Sequence, residues 1–239
     1  GGYKAVAWST PIPLHEVTTV GKALGCTVND VLMSTVAGAL GAHLRAQGFD
    51  TTGLRLRASV PVNLRAVDEP ISLGNRFGLV FVDMALGLPD PLQRLAAMRD
   101  TMVALKGSLQ PPMSLMTLGL MGMLPAAVQP PLVELFSRKA TAVVSNVPGP
   151  QAPLYLCGQR ISEMHYWVPQ SGSIGLGISI LSDAGQVHYG MNSDRRVLDA
   201  PGGVVERFAP EFEKLLLAAT VGVLASRPRT PQGRKARRK

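Results

Sequence analysis

Residues 107–133 carry no charged side chain and are rich in Leu and Met, a stretch whose hydropathy alone would put the chain in a membrane. Pro111, Pro112, Pro125, Pro130 and Pro131 break it up. Proline in a helix interior removes a backbone hydrogen bond and clashes with the preceding turn. The longest proline-free piece, residues 113–124, is well short of the roughly 20 residues that cross a bilayer as a helix. A span is therefore excluded in favour of a buried core helix with Met as gap-filler, the alternative being a wall that contacts lipid. Overall, 46% hydrophobic and 17% charged residues supply a sizeable core and exclude disorder for most of the chain.

The formal net charge of +8 suggests a nucleic-acid binder. Its distribution argues otherwise, because residues 227–239 hold seven basic residues and no acid, leaving 17 basic against 16 acidic residues in the rest. Aromatics, at 5%, are too few for a base-stacking surface. We expect a folded lobe over residues 1–226, a basic disordered tail over 227–239, and no nucleic-acid partner. If the tail acts, anionic lipid headgroups are its expected partner. Cys26 and Cys157 form no CxxC and have no adjacent His, so neither a metal site nor a disulfide framework is expected. The chain opens on Gly1-Gly2-Tyr3-Lys4 without an initiator Met or a visible signal peptide, as a processed or truncated start would.

Hydrophobic periodicity places the elements. Residues 4–8 alternate as a strand, and a helix after Pro13 aligns Leu14, Val17, Val20 and Leu24 before Gly25 stops it. Thr27 caps a second helix whose apolar residues repeat at three-and-four spacing from Val28 to Leu44, with His43 on the apolar stripe as a core imidazole. Residues 54–62 form a half-buried strand and residues 76–86 a more fully buried one, followed by a helix begun by Asp90-Pro91. Residues 140–146 form a strand leading into a Pro148-Gly149 type II turn with Gly149 at positive φ. Two hairpins follow, one turning at Gly158-Gln159 and one through residues 182–185, before an amphipathic helix over 199–219. The class is α/β to α+β with a mixed sheet and flanking helices.

Standard catalytic signatures are missing: no GxSxG elbow, P-loop, HExxH or complete GxGxxG occurs, and His15, His43, His165 and His188 are isolated in the sequence. Three stretches are informative together: CTVNDVLMSTVAGAL (26–40), ASVPVNLR (58–65) followed by GNRFG (74–78), and VVSNVPGP (143–150). Their order and spacing resemble the C-terminal half of the bacterial wax ester synthase/diacylglycerol acyltransferase family, and residues 175–196 are similar to its penultimate hairpin. The resemblance runs from about Lys4 to Ala219.

The resemblance implies one lobe of a chloramphenicol-acetyltransferase-like, CoA-dependent acyltransferase fold, similar also to peptide-synthetase condensation domains, with a tunnel between two lobes. It implies acyl-CoA as cosubstrate with no further cofactor, diacylglycerol or a long-chain alcohol as acceptor, and a catalytic HHxxxDG motif in a partner N-terminal lobe. This chain has no HH pair, so no catalytic base is assigned within it. The implied location is cytoplasmic, peripheral to the inner face of the plasma membrane or to lipid inclusions. A noncatalytic lipid-binding module and a condensation-like transferase using carrier-bound acyl groups are the alternative functions. The implied substrate-binding residues are Asn29, Asp30, Ser145, Asn146, Pro148 and Gly149, with Asn29 as a donor to a thioester or oxyanion. Locally, Asp30 also fits a capping box with Thr27, Asn29 a loop-bracing bond, and Gly149 an ordinary turn. The glycines of RFGLVFV and SIGLGISI could leave room for an acyl chain or allow close packing.

Overall fold

The computed structural model describes residues 3–65, 77–125, 131, 134, 138–170 and 173–226. The basic tail at 227–239 and residues 74–76 of the GNRFG stretch lie outside them. Strands β1 (Lys4–Trp8) and β2 (Ile12–Pro13) precede helices α1 (Leu14–Leu24) and α2 (Val28–Ala46). Next come β3 (Arg55–Asn63), β4 (Phe77–Ala85), α3 (Pro91–Lys106), α4 (Gln110–Gly122) and β5 (Ala142–Pro148). The chain continues through the small pair β6 (Tyr155–Leu156) and β7 (Gln159–Arg160), the long hairpin β8 (Leu176–Asp183) and β9 (Gln186–Asp194), α5 (Gly202–Val205) and α6 (Phe208–Ser226).

The main sheet runs β1-β9-β8-β5-β3-β4, with β2 also on β9. β5 is parallel to both β3 and β8, and the other pairings are antiparallel, which makes the sheet mixed as expected. Alternation sends one set of side chains, including Val82, Ala58, Val144, Ile178 and Tyr189, to a single face. There they join Val31, Val36, Phe208, Phe212 and Leu215 from α2 and α6 in one apolar core. Tyr189 stacks on Phe208 with ring centroids 4.3 Å apart. Its hydroxyl is buried, which pushes its pKa up by desolvation.

A charged pair lies inside the helical layer. Arg94 of α3 donates to Glu211 of α6 at 2.6 Å, to the Ser34 carbonyl of α2 at 3.0 Å and to the Leu88 carbonyl at 2.9 Å. Both side chains are buried. Desolvation lowers the Arg94 pKa while Glu211 opposes that shift. Lys214 adds a second cation on Glu211.

Several elements depart from the sequence expectations. β4 is an edge strand with alternating burial, because β3 is its only sheet neighbour among the described residues. The β6–β7 turn is Cys157-Gly158, both at positive φ, and only two residues pair on each side. Residues 161–170 instead cross the sheet as an extended strap. Ala184 and Gly185, also at positive φ, tighten the β8–β9 turn to two residues. The closing helix is broken into α5 and α6. No single helix among the described residues is long and apolar enough to cross a membrane. α4 begins just before Pro111-Pro112, where missing N–H groups cost little, and in place of the expected fully buried core helix it leaves Met113, Met116 and Leu120 exposed.

Candidate functional site

The N-terminus of α2 meets the C-terminal end of β5. Thr27 closes a capping box: the Asp30 amide donates to Thr27 Oγ1 at 3.2 Å, and the Thr27 amide donates to Asp30 Oδ2 at 2.8 Å. Asp30 is buried, and its carboxylate is held in the helix cap. The cap fixes Asn29 in the first turn. The Asn146 side-chain amide, from β5, donates to Asn29 Oδ1 at 3.2 Å. With its oxygen engaged, Asn29 is left with an NH2 group to offer, at the positive end of the helix dipole. Both side chains are half-buried, a setting in which a donor is partly desolvated and still reachable.

The other expected residues lie apart from that pair. Ser145 points to the opposite face of the sheet, since neighbouring residues in a strand alternate. Its carbonyl accepts from the Tyr166 hydroxyl at 2.7 Å, and the same hydroxyl reaches the Ile180 carbonyl at 3.2 Å. Pro148 remains in register with Ser182 of β8, and the Gly149 amide donates to the Ser182 carbonyl at 2.8 Å. Gly149 does not enter the left-handed region, so the expected type II turn is absent. Glycine serves a close approach instead: a Cβ there would sit 3.0 Å from Leu181 Cδ1 and 3.1 Å from Asp183 Cβ. The glycines of SIGLGISI likewise leave no channel, because a Cβ on Gly177 would sit 2.1 Å from Asn192 Oδ1 and one on Gly175 2.5 Å from Val197 Cγ2.

Cys26 stands beside the α2 cap. Burial, then the neighbouring Asp30 carboxylate, raises its pKa, so it remains a thiol near neutral pH. It is not paired with Cys157. His43 is buried on α2 against Gly203, as a core imidazole. The described residues contain no cluster of three or more ligand-type side chains that could hold a metal.

On the second face of the sheet, a cavity of about 570 Å³ is lined by Val147, Glu163, Met164, His165, Tyr166 and Leu181. His165 lies edge-to-face with His188 at 5.3 Å between ring centroids, and His188 Nε2 is 2.8 Å from Asp183 Oδ1. The fold thus unites two histidines that the sequence keeps far apart. The strap carrying His165 and Tyr166 is a run of ten residues without regular structure, so periodicity gives no signal for it.

A sequence model described as the WS/DGAT C-terminal domain matches residues 73–216. A protein of Mycobacterium tuberculosis named as a putative diacylglycerol O-acyltransferase is 31% identical over 238 residues, covering 92% of this chain and 45% of its own. A second from that organism, named as a probable diacylglycerol O-acyltransferase, is 30% identical over 196 residues, covering 80% of this chain and 42% of its own. The chain therefore spans about half the length of the curated relatives it matches. Among solved structures, the wax ester synthase/diacylglycerol acyltransferase from Marinobacter aquaeolei superposes with a TM-score of 0.68 at 24% identity, over 91% of this chain and 49% of that one. The epimerization domain of tyrocidine synthetase B superposes with a TM-score of 0.56 at 10% identity, over 92% and 49%. These likenesses show the fold, a mixed sheet with flanking helices of the chloramphenicol-acetyltransferase-like class.

Proposed function

Because the chain belongs to the wax ester synthase/diacylglycerol acyltransferase family, we propose that it is the acceptor-side lobe of an O-acyltransferase that moves a fatty acyl group from CoA to diacylglycerol or a long-chain alcohol. A histidine of an HHxxxDG motif in an N-terminal lobe removes the alcohol proton. The alcohol oxygen attacks the thioester carbonyl, the tetrahedral oxyanion collapses, the C–S bond breaks, and the imidazolium returns the proton to the CoA sulfur. Asn29 donates its side-chain N–H to the oxyanion as charge develops. The observation that carries this reading is the Asn146–Asn29 bond, which engages Asn29 Oδ1 at the α2 N-terminus and leaves the side chain its NH2 to donate. Burial of the acyl chain contributes about 0.8 kcal/mol per methylene.

The test joins this chain to an HHxxxDG-bearing lobe and follows CoA thiol release from palmitoyl-CoA with diacylglycerol or hexadecanol. Turnover is expected with both lobes and not with this chain alone. Substantial turnover by this chain alone would overturn the assignment of the base to the other lobe. Competition with an acyl-carrier-protein thioester separates CoA from carrier use.

A further inference from the structure

The strap over residues 161–170 is fastened to the sheet face opposite the core. The Asn192 side-chain amide, from β9, donates to the Val168 carbonyl at 3.0 Å, and the Gln170 side-chain amide donates to the Asn192 carbonyl at 3.2 Å. Trp167 rests on β9 where a glycine leaves room, since a Cβ on Gly190 would sit 2.9 Å from Trp167 Cζ3. Beside these anchors, Tyr166 reaches across to β8 and β5. Its hydroxyl donates to the Ser145 carbonyl at 2.7 Å and lies 3.2 Å from the Ile180 carbonyl. One proton serves both acceptors, and the shorter contact marks the Ser145 carbonyl as the main one. Burial raises the Tyr166 pKa, so the hydroxyl keeps that proton at neutral pH.

The Ser145 carbonyl belongs to the same planar peptide unit as the Asn146 amide nitrogen. A bond to that oxygen therefore restrains the backbone that carries the Asn146 side chain. β5 needs such a restraint there. It pairs with β3 only at Ala142 and Val143, and from Val144 to Pro148 β8 is its one sheet neighbour among the described residues. Asn146 then spans to the first turn of α2 and donates to Asn29 Oδ1 at 3.2 Å. A line of direct contacts thus runs from the strap on one face of the sheet to the α2 N-terminus on the other.

We infer that Tyr166 is a positioning residue for acyl transfer: its hydroxyl sets the Ser145–Asn146 peptide, Asn146 thereby holds Asn29 Oδ1, and the Asn29 NH2 is kept free to donate to the oxyanion. Tyr166 acts through Asn146 and not on the reacting atoms. The inference rests on the proposed transfer reaction with Asn29 as its oxyanion donor.

The test uses this chain joined to the HHxxxDG-bearing lobe, with kcat and KM for palmitoyl-CoA measured on the unaltered protein, Asn29→Ala, Asn146→Ala, Tyr166→Phe and the double variant of Tyr166→Phe with Asn146→Ala. Tyr166→Phe removes the hydroxyl alone, and is expected to lower kcat about two- to tenfold, the range that one hydrogen bond contributes, with KM unchanged. In the Asn146→Ala background the same substitution is expected to change kcat by less than about 1.5-fold, because the path it acts through is already cut. Circular dichroism and thermal melts accompany every variant. If Tyr166→Phe does not fold, Gly190→Ala replaces it: the added Cβ displaces Trp167 and lifts the strap, and the same loss with the same dependence on Asn146 is expected. A folded Tyr166→Phe with unchanged kcat, beside a slowed Asn29→Ala, overturns the inference and leaves the transfer reading standing. Equal losses in both backgrounds overturn it as well, since the hydroxyl then acts by general loosening of the fold. No turnover by the unaltered assembly, or an Asn29→Ala as fast as the unaltered protein, overturns the transfer reading and the inference together.

Discussion

The side chains most consequential for chemistry are Asn29 and Asn146, and their roles are unequal. Asn146 has its amide committed to Asn29, so it acts through its partner. In the assembled transferase, Asn29→Ala is expected to lower kcat about 10²- to 10³-fold, the usual effect of losing one oxyanion donor. Asn146→Ala should lower kcat less, with KM little changed. The double variant should be no slower than Asn29→Ala alone, and additive losses would separate the two residues. A second residue-level effect concerns pH. Asp194 accepts from the Arg196 side chain at 2.8 and 3.0 Å and from its backbone amide at 3.0 Å, and these bonds hold its carboxyl well below the usual carboxylate range. The depressed folded-state value means that its stabilising contribution is full above the ordinary carboxyl pKa of about 4 and is lost as pH falls below it. Asp194→Asn should therefore lower Tm at neutral pH, where the carboxylate contributes fully, and change it little in strong acid, so that the acid limb of a plot of Tm against pH is flattened from above. Of these residues only the Thr27–Asp30 cap could be read from local spacing. Asn29 and Asn146 are 117 positions apart, and no local pattern reports that they meet.

At the scale of elements, periodicity located helices and strands well but not what lies against them. α2 was expected from its spacing, while the reason for its glycines was not. A Cβ at Gly41 would sit 2.3 Å from the Leu86 carbonyl oxygen, a backbone atom that cannot swing aside. Gly41→Ala should therefore destabilise the fold by about 1–3 kcal/mol, despite the better helix propensity of alanine. Gly119 in α4 has nothing within 4 Å of its Cβ position. Gly119→Ala should stabilise by up to about 1 kcal/mol, and urea unfolding of both variants checks the opposite signs. The orientation of α4 escaped the sequence for a related reason. Charge-free composition reads as core, and the rotation that leaves Met113, Met116 and Leu120 exposed is set by Ser114 and Gln110 accepting hydrogen bonds from the Leu79 and Phe81 amides of a strand about 30 residues earlier. β4 was read as fully buried because Phe77, Leu79 and Phe81 are apolar. Phe77 is exposed and Leu79 and Phe81 half-buried because they lie on the face of the sheet opposite the core that Val80 and Val82 enter.

At the scale of the whole molecule, the Arg94–Glu211 pair ties α3 to α6 and, through the Ser34 carbonyl, both to α2. Arg94→Ala would leave the Glu211 carboxylate buried with only Lys214 to offset it, and is expected to cost on the order of 3–5 kcal/mol in denaturant unfolding. Arg94→Met combined with Glu211→Leu should recover most of that loss, because it removes both desolvated charges. The mixed class and the long β8–β9 hairpin were legible from alternation and turn residues. The strap, the charged pair and the joining of His165 to His188 required the folded chain, since each depends on contacts between distant segments. The hydrogen bonds that α4 makes to the outer amides of β4 also give the sheet a direction of growth. One rim is sealed by side chains that occupy the ladder positions, while the rim at β1 has no further strand beyond it among the described residues. Among the described residues, the β4 rim is thus closed to a further strand at Leu79 and Phe81.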